Sequence, residues 1–268
     1  ASSHDSVLFI SNKGIMYKLK CYEVPEGSKG SRGVNIVNLL PLSDGEKISA
    51  MIKTTDFDAG KYITMVTKNG KIKRTNLSEY RNVRKKGLIA IGLDEGDEIA
   101  GVRMTDGSAD LMIATRKGMI IRISEDNIRA LSRSAHGVKA IRLHDGDEVV
   151  SMARVREGAS LLTVSDRGFG KRTPLDAYRV QSRGGLGLKN YKVSDEKGDV
   201  CGIKVVDETD DIMLISDSGI IIRVRAADIS LMSRYAAGVR IMRLNGDESR
   251  VAAFTRAEHD EDDETAEE

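Results

Sequence analysis

No tryptophan occurs in this chain of 268 residues, aromatic residues make up only 4%, and there are two cysteines. Each shortage excludes something. Cys21 and Cys201 lack CxxC spacing and cannot staple a chain of this length, so reduced, buried thiols and a cytoplasmic setting are expected. No stretch approaches the ~18 uninterrupted apolar residues that a transmembrane helix needs. The start, Ala1-Ser2-Ser3-His4-Asp5, has no basic-then-apolar signal pattern and no initiator Met, which suggests a fragment or a processed chain. His4, His136, His144 and His259 have no metal-ligand spacing, and two cysteines do not make a zinc site. There is no G-x-x-x-x-G-K-[ST] and no G-x-G-x-x-G opening a helix, so no nucleotide cradle is expected. The acidic run Asp207–Asp211 reads as a solvated turn rather than a cation site. Tyrosines such as Tyr17 and Tyr80 read as packing residues. The chain on its own is expected to be neither an enzyme nor a cofactor or metal binder.

What is present is a soluble composition, 40% hydrophobic and 31% charged. A length of this order fits one domain or a repeat array, able to bury about 70–75% of the surface of its unfolded chain. The net charge of +1 hides two unlike parts. Residues 258–268 carry eight carboxylates and no Lys or Arg, which leaves 1–257 with 42 bases against 33 acids, a net +9. An acidic block of this kind repels itself and is expected to be disordered. It is either a solubilising tail or an internal competitor for whatever anion the basic body binds.

Self-similarity organises the body. An apolar run, two or three polar residues, Gly and an alternating run ending in a base occur five times, at 8–19, 63–75, 111–123, 161–173 and 212–224. The hairpin glycines Gly14, Gly70, Gly118, Gly168 and Gly219 lie 56, 48, 50 and 51 residues apart. A second glycine recurs at Gly33, Gly87, Gly137, Gly187 and Gly238, and a third, beside acidic residues, at Gly45, Gly96, Gly146, Gly198 and Gly246. Each repeat reads as four short strands joined by Gly turns, with a helical turn in places such as Ser124–Ala130. The repeats run roughly over 7–53, 62–104, 110–154, 160–205 and 211–256. One four-stranded unit cannot bury both faces, so the units must pack on each other, and radial packing gives an all-β, propeller-like array. The absence of Trp excludes WD40 repeats, and kelch repeats need aromatic anchors missing here.

Positive charge recurs in phase. The residue four positions after each hairpin glycine is basic: Lys18, Arg74, Arg122, Arg172 and Arg223. A second row lies four residues before the second glycine, at Lys29, Arg133, Arg183 and Arg234. In the second repeat this loop is shorter, and Arg84, Lys85 and Lys86 abut Gly87. Single bases at strand ends commonly guard an edge, but acidic residues would do that equally well. A periodic row of bases suits a regularly charged polyanion, with duplex DNA the obvious case. The loops Glu26–Gly33, which includes Arg32, and Gln181–Gly187 combine glycines and bases, so that backbone N–H groups can approach phosphate. The few aromatics do not interleave with the bases, which argues against stacking on a single strand. No recognition helix is evident, so readout through DNA deformability is favoured over base contacts. An acidic protein is the alternative partner.

The segments SNKGIMYKLK (11–20), GSRGVNIVNLLPL (30–42), DGDEVVSMARV (145–155), GFGKRTPLDAYRVQSRGGLG (168–187) and ISDSGIIIRVRAADIS (215–230) resemble the C-terminal domains of bacterial DNA gyrase A subunits. The resemblance runs to the acidic tail, and the related domain of topoisomerase IV shares the pattern. It implies a β-pinwheel, usually of six blades, with strands exchanged between neighbours and DNA bent around a basic rim. It also implies a bacterial, nucleoid-associated protein that works with the remaining parts of the gyrase A and B subunits. The ATP- and Mg²⁺-dependent chemistry would lie elsewhere in that enzyme, and the domain itself would be monomeric. Two departures stand out. The family box Q-[KR]-R-G-G-[KR]-G belongs to the first blade, whereas Gln181, Arg183, Gly184, Gly185 and Gly187 form a degenerate version, with Ser182 and Leu186, in the fourth repeat. The chain also starts where a second blade would.

Overall fold

The computed structural model describes residues 2–27, 33–246 and 248–257. The expectations for the acidic segment 258–268, and for Lys29 and Arg32, lie outside the described residues. Among the described residues, regular structure consists of β-strands and short 3₁₀ turns. The expected helical turn at 124–130 is the 3₁₀ turn Glu125–Asn127. No helix is long and apolar enough to cross a membrane.

The chain divides into two compact units. The first, Ala1–Ala109 with Ser124–Ile141, holds two sheets. One contains Ser6–Ser11, Ile15–Lys20 and Ile48–Thr54, joined at its edge by Leu88–Ile89. The other contains Tyr62–Thr67, Lys71–Asn76 and Ile99–Thr105, joined by Val138–Lys139. The second unit, Asp110–Ile123 with Arg142–Glu268, holds three sheets. Two are completed by Leu188–Lys189 and Val239–Arg240 in the same way. All pairing is antiparallel. Three strands of each repeat thus stay in their own sheet, while a two-residue fourth strand crosses to the sheet of the preceding repeat. The fifth sheet, Asp211–Ser216, Ile221–Arg225 and Val251–Ala257, has three strands rather than the expected four. Among the described residues, no later segment reaches it.

Local chemistry explains the hairpins. Three residues before each hairpin glycine stands Ser or Thr. Its hydroxyl accepts the N–H of the residue after the glycine: Ser11 from Ile15, Thr67 from Lys71, Thr115 from Met119 and Ser165 from Phe169, all at 3.2 Å, and Ser216 from Ile220 at 3.1 Å. The glycine N–H donates to the carbonyl of that same Ser or Thr. The glycine itself turns through positive φ, a region that costs other L-residues about 1–2 kcal/mol.

The hairpin glycine is also where the next repeat docks. Its carbonyl accepts the N–H of Ala90 on Gly14, Ala140 on Gly70 and Asn190 on Gly118, each at 2.8 Å, and of Ile241 on Gly168 at 2.9 Å. The backbones approach so closely that a Cβ on Gly168 would land on the carbonyl oxygen of Met242. At Gly219, in the sheet that receives no fourth strand, a Cβ would meet nothing within 4 Å.

Cores form between sheets because both faces of a strand are used. In the first unit, Leu8, Ile10 and Met16 pack with Ile63, Met65 and Val102 of the second sheet. In the second unit, Leu161 joins Met112, Ile120 and Ile203, whereas its neighbour Leu162 joins Ile212 and Leu214 on the opposite face. Hence all six residues of Ser160–Ser165 are buried, and each fully buried Leu contributes about 1.5–3 kcal/mol. Tyr80 is a packing residue, buried with its hydroxyl donating to the Ala90 carbonyl at 3.0 Å. Glu125, also buried, accepts from Thr64 Oγ1 at 2.9 Å, from Thr105 Oγ1, and from the Gly107 N–H at 3.1 Å. Cys21 and Cys201 are free and half-buried, and burial pushes the Cys201 thiol up to about 12.

Gly168 and Gly219 have nearly the same φ, +78° and +82°, so substitution separates the docking contact from the backbone conformation. Gly219→Ala should cost about 1–2 kcal/mol, and Gly168→Ala a further 1–3 kcal/mol, roughly, from overpacking. Urea denaturation of both variants measures the difference, and equal losses would show that the neighbour's backbone can yield.

Candidate nucleic-acid interface

The two basic rows have different fates. The row four residues after the hairpin glycine lies at the end of the second strand, beside the turn of the following repeat, and is turned into the protein. Lys18 Nζ donates to the Arg81 carbonyl and lies 5.4 Å from the centre of the Phe57 ring, and burial lowers its pKa. Arg74 donates to the Gly107 carbonyl at 2.8 Å and stacks 4.8 Å over Tyr62. Arg122 binds Asp110 Oδ2 through Nε (2.9 Å) and Nη2 (2.7 Å), and reaches the Leu175 and Tyr178 carbonyls with Nη1. Arg172, 5% exposed, donates to the Ile229 and Ala227 carbonyls and to Glu208. Arg223 pairs with Asp211 at 2.7 Å. These bases were expected on the surface as phosphate contacts. The structure instead uses them as ties within and between repeats, because strand ends leave turn carbonyls that need donors. Arg172 in particular is a buried structural arginine.

The second row is outward. Arg84, Lys85, Lys86, Arg133 and Arg183 are exposed, and Arg234 is half-buried. Arg234 lies 4.7 Å over the Tyr235 ring and donates to the Tyr235 hydroxyl and the Lys189 carbonyl, each at 3.0 Å. The first row holds three of these loops by its backbone. The carbonyls of Arg74, Arg122 and Arg172 accept the N–H groups of Leu131, Gln181 and Met232 at 2.8–2.9 Å. In the box-like loop, Gly184 and Gly187 turn through positive φ. A Cβ on Gly187 would strike the Ile120 carbonyl, and the Gly185 carbonyl accepts the Arg142 N–H at 2.8 Å. Its glycines therefore have a structural task, close packing on the previous hairpin.

Sequence reading passed over a third row. In repeats three to five, the second residue of the crossing strand is an exposed base, Lys139, Lys189 or Arg240, and three residues on stands another, Arg142, Lys192 or Arg243. Counting two and five residues past the second glycine would have found them. Around Lys189 they line an open groove of about 410 Å³ with Lys117, Lys192, Tyr191 and Tyr235. A second groove, about 570 Å³, runs beside Arg84, Ile89 and Arg133.

Two further residues were not singled out by the sequence patterns: Lys73 and Lys171, three after their hairpin glycines and both 0% exposed. Lys73 Nζ donates to the carbonyls of Ala90 (2.7 Å), Ser132 (3.1 Å) and Arg133. Lys171 Nζ donates to those of Ser233 (2.7 Å) and Arg234 (2.8 Å). Burial lowers the pKa of each to about 8.

No group of His, Cys, Asp and Glu suited to a metal occurs among the described residues. The Asp207–Asp211 run is engaged by arginines: Arg156 on Asp207 at 2.6 Å, and Arg256 on Asp210 at 3.2 Å.

The family described as DNA gyrase C-terminal domain, beta-propeller, matches residues 5–55, 61–106, 109–156, 159–207 and 210–255, and the antiparallel sheets are the blades of that fold. The DNA gyrase A subunit of Halalkalibacterium halodurans is 52% identical over 264 residues, which is 98% of this chain and 32% of that protein. The A subunit from Clostridium acetobutylicum is 49% identical over 260 residues, 97% of this chain and 31% of that one. That of Escherichia coli K12 is 39% identical over 264 residues, covering 98% and 30%. The chain thus spans about a third of the length of these relatives. Among solved structures, the C-terminal domain of a DNA topoisomerase IV superposes with TM-score 0.87 at 26% identity, covering 96% of this chain and 80% of that one. A gyrase A C-terminal domain gives 0.83, also at 26%, covering 96% and 83%. The higher identities all go with gyrase proteins, while the shared fold does not separate the two enzymes.

The buried lysines set a pH dependence. With folded values near 8 against about 10.4 in an unfolded chain, the unfolded state holds more protons between these limits. Stability should therefore rise with pH from about 8 to 9.5, below the range where tyrosines titrate. Urea midpoints at pH 7.5 and 9.5 test this, and the rise should be smaller in Lys171→Ile.

Proposed function

The chain belongs to the DNA gyrase C-terminal domain family, and on that footing we propose that it binds double-stranded DNA along the outward basic rows and bends it. The observation that carries the reading is the recurrence, in phase with the sheets, of exposed bases on the loops (Lys85, Lys86, Arg133, Arg183) and on the crossing strands (Lys139, Lys189, Arg240). A duplex presents phosphates at regular intervals, and cations repeated once per blade of a propeller meet its backbone repeatedly. Because successive blades splay, contact with several of them requires the duplex to curve, at a cost of order 1–6 kcal/mol for a 40–90° bend over 20–30 bp.

In the whole enzyme, this domain supports ATP-dependent negative supercoiling by presenting a crossed DNA segment to the parts of the gyrase A and B subunits that cleave DNA and use ATP and Mg²⁺. The domain contributes charge and shape and carries out no bond-breaking step. The inward row of Lys18, Arg74, Arg122, Arg172 and Arg223 acts as scaffolding for the outward loops. Backbone contacts dominate, so sequence preference is weak and follows deformability.

Two measurements test this. A duplex of about 150 bp, one persistence length, labelled at both ends should show increased energy transfer on titration with the chain, and the rise should weaken with salt. Binding without end approach would retain DNA binding and remove bending. Affinity that ignores duplex length would point to an acidic protein partner instead. Replacing Arg133, Arg183 and Arg234 together by Ala should lower the slope of log K against log salt by about 2.7, at ~0.9 per lost phosphate contact. An unchanged slope would remove these residues from the interface.

A further inference from the structure

Lys73 and Lys171 occupy the third position after the hairpin glycine, a strand position that is Tyr17, Ile121 and Ile222 in the other repeats. Ile121 is fully buried there. The strand therefore accepts an apolar side chain at this point, and folding alone does not call for lysine. A buried ammonium is costly unless its hydrogen bonds are met. Here they are met by carbonyls, and the acceptors are not scattered. Lys171 Nζ takes two successive carbonyls, Ser233 and Arg234. Lys73 Nζ takes the equivalent pair, Ser132 and Arg133, and adds Ala90. In both cases the pair ends on the outward arginine of the next repeat. The loop of repeat four, with Arg183, crosses Ile121 instead. A Cβ on Gly185 would lie 3.8 Å from the Ile121 Cδ1 atom, and no ammonium grips this glycine-rich loop.

We propose that Lys73 and Lys171 are positioning residues for DNA binding: each fixes the backbone of a loop so that Arg133 or Arg234 is held at the surface ready for a phosphate. The inference rests on the functional reading above and adds a division of labour to it. The loops bearing Arg133 and Arg234 are preset contacts. The loop bearing Arg183, flanked by Gly184, Gly185 and Gly187, is left to adapt to the local path of the duplex. Neither lysine meets the DNA, since neither is exposed.

The repeats supply the test substitution, because isoleucine already stands at this position in two of them. Lys171→Ile, Arg234→Ala and the double variant are compared with the unsubstituted chain for affinity to a 150-bp duplex across a salt series. Loss of one phosphate contact corresponds to roughly an eightfold loss of affinity at 0.1 M salt, from the ~0.9 slope per contact. Arg234→Ala should show a loss of up to that size, Lys171→Ile a comparable one, and the double variant no more than Arg234→Ala alone. Amide exchange in 232–236 should rise in Lys171→Ile while that of Ser160–Ser165 is unchanged. Additive losses, or a Lys171→Ile chain that binds as the unsubstituted chain does, overturn the positioning role while leaving the DNA reading intact. An unsubstituted chain that does not bind the duplex at low salt overturns the functional reading, and this inference with it. If Lys171→Ile loses protection throughout its sheet, Lys73→Ile with Arg133→Ala gives the same cycle in the first unit and decides the matter on the same criteria.

Discussion

The fold depends on one hydrogen bond repeated from sheet to sheet: the carbonyl of a hairpin glycine accepting an N–H from the next repeat. It is possible only because two glycines face one another's repeats. The hairpin glycine leaves room for the incoming backbone, and the second glycine lets the crossing strand lie directly on the previous hairpin, as Gly187 does on Ile120. A side chain at either point would hold the backbones apart and open the apolar contact beneath. The Leu161 and Leu162 faces, the crossing strands and the loops that follow them all depend on this approach.

Charge is divided by the same geometry. A base at the end of the second strand finds itself beside the turn of the next repeat, where unpaired carbonyls and an Asp such as Asp110 or Asp211 absorb it. A base a few residues before the second glycine sits on a loop that has already been tied down, and it faces outward. Two rows with the same periodicity and the same chemical type therefore have opposite roles. The inward row shapes the loops, and the outward row is the surface offered to an anion.

Much of this was legible in the sequence and some was not. Spacing of Gly14, Gly70, Gly118, Gly168 and Gly219 located every hairpin, since positive φ leaves few alternatives to glycine there. The Ser or Thr three residues earlier was equally regular and could have been read, because a short hydroxyl side chain in a turn usually accepts a nearby N–H. That the fourth strand leaves its own sheet is not encoded in any alternation of two residues such as Val138–Lys139. It came from resemblance to relatives, and the structure displays it. Periodicity identified the bases but could not orient them: Arg172 and Arg183 look alike in a pattern, and only the carbonyls of Ala227 and Ile229 around the first distinguish them. Lys73 and Lys171 were hidden for a related reason, as lysine in a strand reads as a solvent-facing residue until its partners are known.

The crossing strands impose a timetable on biosynthesis. Gly14 waits for Ala90, Gly70 for Ala140, Gly118 for Asn190 and Gly168 for Ile241, so 70 to 76 residues separate the two partners each time. At 5–20 residues per second, a ribosome needs about 4–15 s to supply the missing partner. During that interval each sheet emerges with an open edge and part of its apolar face uncovered. Completion then runs from the N-terminal sheet onward, each repeat sealing the one before it. A pause in translation would leave a single exposed edge at a time, not several, which limits mispairing among five nearly interchangeable hairpins.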